Sequence, residues 1–448
     1  MSTRSTGRCR RHLPRLLAAL LVVGLGSPEL AAETFPVAPG ESIQDAVDAA
    51  GPADQVTLSA GVYRQVVDVP AGKDGLAIVG KGKVILDALD AGEGTVPGLA
   101  IGSSDVLVRN LTIRHAAGIG LMASGMGLSG IQLDKVTVLN ATGDSIVLEA
   151  DQVLVQKCTV RGSKGRGLVI TGNNALVTRN TFQQVDVDAV VIDGDDAEVS
   201  RNTIREVNND NGVDIVGSFA RVLQNTISRT DDNAITITGA NALVDKNTVA
   251  SAANDDAIQV IGDNPTATAN KVSAILNGHA ALMIVSTGSG GLVERNTVRD
   301  CVGAGIEING DSMTVNKNKV TDCGVERVGI QITGDMNTVL ANTLKGIHQD
   351  GISVLGNANQ IERNKVTDGF EDGVALMSGT ANVLDGNTIR NNQSEGVDNT
   401  ATNTTLRNNK ISKNRIDVAN GTSGGATIVI EDNNKIGDGS DGTDEPEV

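Results

Sequence analysis

The chain has 448 residues, no Trp, one Tyr, four Phe and a formal net charge of −17. A core built from this composition has to be aliphatic, and the charge disfavours nucleic acid and anionic membranes while suiting cations, basic surfaces or plain solubility. Abundant Gly, Asn and small β-branched residues suit flat stacked strands with tight corners, so length converts into a count of repeated units.

Residues 1–32 read as a secretory signal. Arg4, Arg8, Arg10, Arg11 and Arg15 precede the apolar run Leu16 to Leu25, and Ser27 to Ala32 is a small-residue exit. The run is too short for a comfortable membrane span, so cleavage near Ala32 and a secreted, periplasmic or extracellular location are expected, with no stable membrane insertion afterwards. Losing five arginines and one glutamate would take the net charge from −17 to −21.

One repeat-built domain is expected over 33–436, with cap and first coils over 33–108 and regular repeats over 109–436. After a short lead, Ser42-Ile43-Gln44-Asp45 has a capping-box arrangement, and Ile43, Ala46, Val47 and Ala50 form one apolar face. A short amphipathic helix results, suited to covering the open end of a stack. Short strands follow at Gln55 to Leu58, Ala60 to Tyr63, Leu76 to Gly80 and Val84 to Asp87, separated by Gly, Pro and Asp turns.

From Arg109-Asn110-Leu111-Thr112-Ile113 a unit of 22 to 26 residues takes over. Its mark is a Gly, then eight residues later an Asn, then Thr or Lys and an apolar side chain, as in Asn202-Thr203-Ile204. Twelve Asn run from Asn180 to Asn434, and the two units before them carry Lys135 and Lys157 in what is read as the Asn place. Three strands of three to five residues fill each unit, leaving no room for helices. Fifteen Thr or Lys positions from Thr112 to Lys435 predict about fifteen coils, paired in parallel at about 4.8 Å, and a rod of roughly 70 Å. The Asn column would lie at a corner as an amide ladder.

Cys301 and Cys323 fall one coil apart, which leaves open a disulfide or two free stacked thiols; Cys158 is the odd one out. Residues 437–448 form a Gly-rich acidic segment, read as a disordered tail.

The phrase Gly-Ile-x-Ile-x-Gly … Val-x-x-Asn-Thr-Ile, the Ser42 to Ala50 helix and Ala60-Gly61-Val62-Tyr63 resemble the pectin-lyase-like superfamily. The resemblance covers residues 40 to 436. It implies an all-β, right-handed single-stranded parallel β-helix with an N-terminal helical cap. It says little about activity, since that superfamily holds polysaccharide lyases, hydrolases and epimerases, phage tailspikes and proteins of unknown role.

Chemistry is expected where the units differ. The strand before each corner Gly presents Asp214, Thr236, Gln259 and Glu307 outward, and just before it run Asp186, Asp188, Asp210, Asp231, Asp232, Asp255 and Asp256. Stacked carboxylates need a cation, a retained proton or splaying into water. Calcium would draw on Asp186, Asp188, Asp210 and Asp214. For catalysis, Asp255-Asp256 followed by Gly278-His279-Ala280 resembles the Asp-Asp and Gly-His-Gly motifs of polygalacturonase-like hydrolases. That implies inverting glycoside hydrolysis, with Asp255 or Asp256 as acid, Asp232 helping the water and His279 tuning the site. Departures are plain: no Arg-x-Lys follows, Glu307 stands where a uronate would want a cation, and His279 lies in the longest unit. His115 and His348 read as turn histidines. Two functions remain open: a secreted protein that binds or processes a polysaccharide, with calcium or without, as a hydrolase or lyase-like enzyme; or a non-catalytic extracellular or envelope rod.

Overall fold

The computed structural model describes residues 32–89, 96–276, 278–421, 426–431 and 433–437. The signal segment over 1–31 and the acidic tail beyond Gly437 lie outside the described residues.

A single helix, Ile43–Ala49, and three parallel sheets make up the described chain. Ser42 caps the helix by accepting from the Asp45 N–H at 3.0 Å, and Ile43 and Val47 are buried. The helix packs on Thr34–Val37, Gln55–Leu58 and Val67–Val69, so it closes one end of the stack.

Each coil visits the sheets in one order. Leu176–Thr178 lies in the first sheet, Thr181–Val185 in the second and Val190–Asp193 in the third, and the next coil repeats them with Glu198–Ser200, Thr203–Val207 and Val213–Val216. Among the described residues the sheets hold 18, 17 and 16 strands. The second sheet exceeds the fifteen Thr or Lys positions by two because Gly61–Tyr63 and Val84–Asp87 pair into it ahead of Thr112–Arg114. The parallel β-solenoid expected from the repeat is therefore what forms.

The core is aliphatic, with Tyr63 and Phe182 as its largest fully buried side chains. In-register pairing stacks like on like: Phe182 on Ile204, Ile204 on Ile227, Ile227 on Val249. Each coil thus buries its inward residues against the coil on either side, and no coil has a core of its own.

The Asn column forms a continuous ladder at the corner between the first and second sheets. The Asn247 backbone N–H donates to Asn270 Oδ1 at 2.9 Å; its Nδ2 donates to the same oxygen at 3.1 Å and to the Val222 carbonyl at 2.8 Å. The pattern repeats from Asn180 to Asn434. Immediately before each Asn the chain turns through the left-handed region, as at Arg201, Gln224 and Lys246, with φ of 57° each. A side chain there costs about 1–2 kcal/mol, which the ladder offsets by holding the corner.

One sequence assignment shifts by a residue. Thr137 and Thr159 pair with Thr112 and Thr181, so Val136 and Cys158 hold the ladder place, while Lys135 and Lys157 sit at the left-handed position before it. Cys158 ends the ladder: its N–H donates to Asn180 Oδ1 at 2.7 Å, and burial pushes its thiol up to about 12. Cys301 and Cys323 are joined as a disulfide with Cα atoms 4.5 Å apart.

Candidate functional site

Pairing in the third sheet sets Val213, Ile235, Ile258, Leu282, Ile306 and Ile330 on successive rungs. Counting back along each chain from those residues gives two columns in the preceding turn. The residue three places before them forms one column: Asp210, Asp232, Asp255, His279, Gly303, Arg327. The residue two places before forms another: Asn211, Asn233, Asp256, Ala280, Ala304, Val328. A third column lies on the strand itself, one place after: Asp214, Thr236, Gln259, Met283, Glu307, Gln331. The result is an open strip along the rod.

His279 keeps its rung. Ile258 pairs with Leu282 and Val260 with Ile284, and the register slips only later, between Val285 and Ser289. The extra length of this unit therefore extends the strand Ala280–Ser289 beyond the strip.

The two aspartates of the Asp-Asp pair have different fates. Asp256 is 0% exposed; its Oδ1 accepts from the Ala280 N–H at 2.6 Å and its Oδ2 from Gln259 Nε2 at 3.2 Å. Burial drives its carboxyl up to about 6, with the Ala280 bond opposing, the Asp255 charge adding, and Gln259 and His279 opposing. A side chain so enclosed meets no solvent. Asp232 and Asp255 do face it, both half-buried. Burial raises Asp232, and so do Asp255, Asp210 and Asp231. The structure thus separates Asp256, fully enclosed, from Asp232 and Asp255, which stay half-buried.

The four residues grouped for calcium divide. Asp188 is pushed up to about 6 by burial and by Asp210 and Asp214, and burial with Asp210 also raises Asp214. Asp186 stands apart: Lys164 Nζ at 2.9 Å and Asn208 Nδ2 at 2.8 Å hold its carboxylate below the usual range. Among the described residues no three His, Cys, Asp or Glu side chains converge on one point.

Sequence reasoning missed Arg327, which ends the column begun by Asp210 and places Nη1 3.8 Å from Glu307 Oε2. Only the rung count across Gly303 would have found it. Two turn acids farther along are also perturbed. Burial raises Asp350 to about 6, against its bond with Asp372 and with help from Glu371 and Asp398. Burial and Glu395 raise Asp372 to about 7. Beside them His348 stacks on Phe370 with ring centroids 4.8 Å apart. His115 pairs with Asp87 at 3.0 Å. The outer-face arginines Arg114, Arg161, Arg205, Arg299 and Arg390 lie on second-sheet strands, away from the strip.

The fold is similar to that of an alginate lyase from Paenibacillus sp. str. FPU-7, at 13% identity over 55% of this chain and 95% of that one (TM-score 0.45). It is also similar to the A-module of a mannuronan C-5 epimerase from Azotobacter vinelandii, at 15% identity over 82% and 93% (TM-score 0.34). A mannuronic acid specific polysaccharide family 6 lyase from human gut microbiota gives 13% identity over 89% and 83% (TM-score 0.36). At these identities the likeness concerns fold alone. No curated protein sequence matches the chain. The profile described as a right-handed beta helix region matches residues 64–182, 188–344 and 328–443. The chain belongs to that right-handed β-helix family.

Proposed function

We propose that this is a secreted polysaccharide-processing protein that cleaves glycosidic bonds on the third-sheet strip, with Asp232 and Asp255 as the reacting carboxyl pair. The observation that carries the reading is their placement. Adjacent rungs are about 4.8 Å apart, close to the roughly 5–5.5 Å carboxyl separation of retaining glycoside hydrolysis. Burial, with the Asp255 charge adding, raises the Asp232 carboxyl, the direction that suits a proton donor to the leaving oxygen. Asp255 attacks the anomeric carbon, and water later releases the sugar while returning a proton to Asp232. Asp256 and His279 are positioning residues: Asp256 ties the Asp255 turn to the next coil through Ala280.

An open strip along a rod suits a polymer better than a small molecule. Two shallow concavities, one lined by Leu176, Glu198 and Gln224 and one by Lys164, Asp186 and Glu206, lie off it. No step is assigned to calcium, because Asp186 is committed to Lys164 and the remaining acids do not close a cage among the described residues.

The full burial of Asp256 favours a second reading, in which the strip only binds glycan. A reducing-end screen over neutral, cationic and uronate polysaccharides, with calcium and with chelator, separates the two. Product from the wild type and none from a D232N/D255N double variant supports cleavage. Binding without product from any polymer supports the second reading. Neither binding nor product would leave a structural rod.

A further inference from the structure

We propose that the outer face of the second sheet, over the coils from Lys271 to Lys410, is a binding surface for an extended 1,4-linked polyuronate chain. This face is separate from the third-sheet strip, and the inference stands or falls without it.

Strands of this sheet turn two side chains outward on either side of a buried one. In Lys319–Cys323, Lys319 and Thr321 flank the buried Val320, and in Thr343–Lys345 the two end residues flank the buried Leu344. In-register pairing stacks these outward residues into two columns. The first column is Thr in seven successive coils, from Thr112 to Thr248. Then it changes: Lys271, Lys319, Lys365 and Lys410 occupy every second coil, with Thr between them. The second column alternates in the opposite phase. Arg299, Lys345 and Arg390 stand on the coils where the first column has Thr, and Ser or Thr stands on the others. Four lysines and three further cations thus give seven successive coils one cation each, on alternate sides of the strand, and all seven side chains are exposed.

The fold does not call for this pattern, since Thr fills the same strand position in the coils before it. Nor does overall charge, which is −17 for the whole chain. Arg299 reaches Asp300 at 2.6 Å and Lys345 reaches Asp368 at 3.7 Å, but among the described residues the four lysines and Arg390 form no salt bridge. Alternation keeps like charges of one column two rungs apart, about 10 Å, which is also about the screening length at 0.1 M salt. That explains how the array tolerates itself in the free protein and leaves open why Lys replaced Thr at all. What fits is a polyanion with one charge per rung, displayed on alternate edges. Rungs rise by about 4.8 Å, and each sugar of an extended 1,4-linked pyranose chain advances by close to the same length. Where such a chain turns over at every sugar, successive carboxylates fall on opposite edges, as these cations do. The seven coils span roughly 30 Å and would take about seven sugars, each carboxylate meeting one Lys or Arg in a charge-assisted hydrogen bond. This face would hold the rod along an acidic polymer while the strip stays open.

The test measures affinity of the full-length protein, in low salt at neutral pH, for a β-1,4-linked hexaglucuronate, its neutral parent cellohexaose, hexaglutamate and a thymidylate oligonucleotide of equal charge. Hexaglucuronate should bind at least about tenfold tighter than any of the other three. K319T/K365T installs the residue that the earlier coils carry at that position. It should lower the hexaglucuronate affinity by about tenfold or more and make its salt dependence shallower, with melting temperature as the fold control. R205S, among the coils with Thr alone in the first column, and D232N/D255N, on the strip, should both keep the wild-type affinity. Hexaglucuronate bound no better than cellohexaose would overturn the inference. So would equal binding of hexaglutamate or the oligonucleotide, which would show a face that takes any polyanion, and so would an unchanged affinity in K319T/K365T. Binding lost in D232N/D255N and kept in K319T/K365T would assign the polymer to the strip instead.

Discussion

Two columns of short polar side chains climb this rod at the same spacing, and they behave in opposite ways. In the Asn column each amide both donates and accepts, so identical residues satisfy one another: Asn225 Nδ2 gives to Asn247 Oδ1 at 3.0 Å, and Asn247 to Asn270 at 3.1 Å. In the strip before the third sheet Asp210, Asp232 and Asp255 stack carboxyl on carboxyl, with no amide to donate from one to the next. Asp188, Asp214, Asp232 and Asp256 are all raised, each chiefly by burial, with neighbouring acids adding to the effect. Like can stack on like only when it carries its own complement. The first column therefore closes on itself and stabilises the fold, while the second leaves its carboxyls raised and without such mutual satisfaction.

Substitutions should separate the columns. The largest effect expected is on turnover: D232N removes the proton donor and should lower the cleavage rate by at least about 100-fold, with folding intact, since Asp232 has a raised and not a depressed pKa. Next in size, N247A takes one rung out of the ladder and leaves the Val222 carbonyl and the Asn225 amide without partners. It should cost about 1–3 kcal/mol of stability, read as a lower midpoint in denaturant, whereas a substitution at an exposed position such as Asn254 should move the midpoint little.

The strip should also leave a mark on the pH dependence of stability. Asp188, Asp256 and Asp350 stand at about 6 and Asp372 at about 7, against 3.8 for a free side chain. Between those limits the folded chain holds more protons than the unfolded one, so its stability falls as pH rises. These groups contribute fully below about 3.8, and the contribution is gone once pH has passed 6 to 7. The melting temperature should accordingly be higher at pH 5 than at pH 8. Asp186, Asp368 and Asp385, held down mainly by bonds from Lys164, Asn391 and Asn408, act the other way and lose their contribution only as pH falls through the lower range.

The smallest effect sharpens the contrast within the acids themselves. Asp372 is as perturbed as any residue of the strip but lies outside the Asp232 and Asp255 rungs, where it meets Glu395. D372N keeps the bond that Asp372 Oδ1 accepts from the Glu395 N–H at 2.8 Å. It should flatten the melting curve's dependence on pH and raise the melting temperature at pH 8 while leaving turnover within twofold. A loss of turnover as large as that of D232N would place the chemistry at Asp350 to Asp398 instead.

What the sequence makes legible is whatever is written in periodicity. Thr203-Ile204 and its equivalents specify strand, register and inward face together, because a slip of one residue would turn every aliphatic outward. The Asn corner is legible for the same reason. Its left-handed neighbour is not, since Arg201, Gln224 and Lys246 share no chemistry and owe their conformation to the corner. That is why Lys135 and Lys157 read one residue out of place. A shorter ladder from Asn337 to Asn382 at another corner is also hidden in the sequence, being only three Asn long. In the site, the column of turn acids is visible, but which of two adjacent aspartates turns inward depends on corner geometry, so sequence does not tell Asp255 and Asp256 apart. Arg327 enters only through rung counting across Gly303, with no shared motif to announce it.

If the two columns have separate jobs, a paired measurement of D232N and N247A, for both folding and turnover per folded molecule, is the most direct test. The predicted result is a double dissociation: D232N retains its denaturant midpoint and loses turnover by about 100-fold or more, and N247A loses stability and keeps its turnover. Full activity in D232N, or activity lost in N247A at an unchanged midpoint, would contradict it.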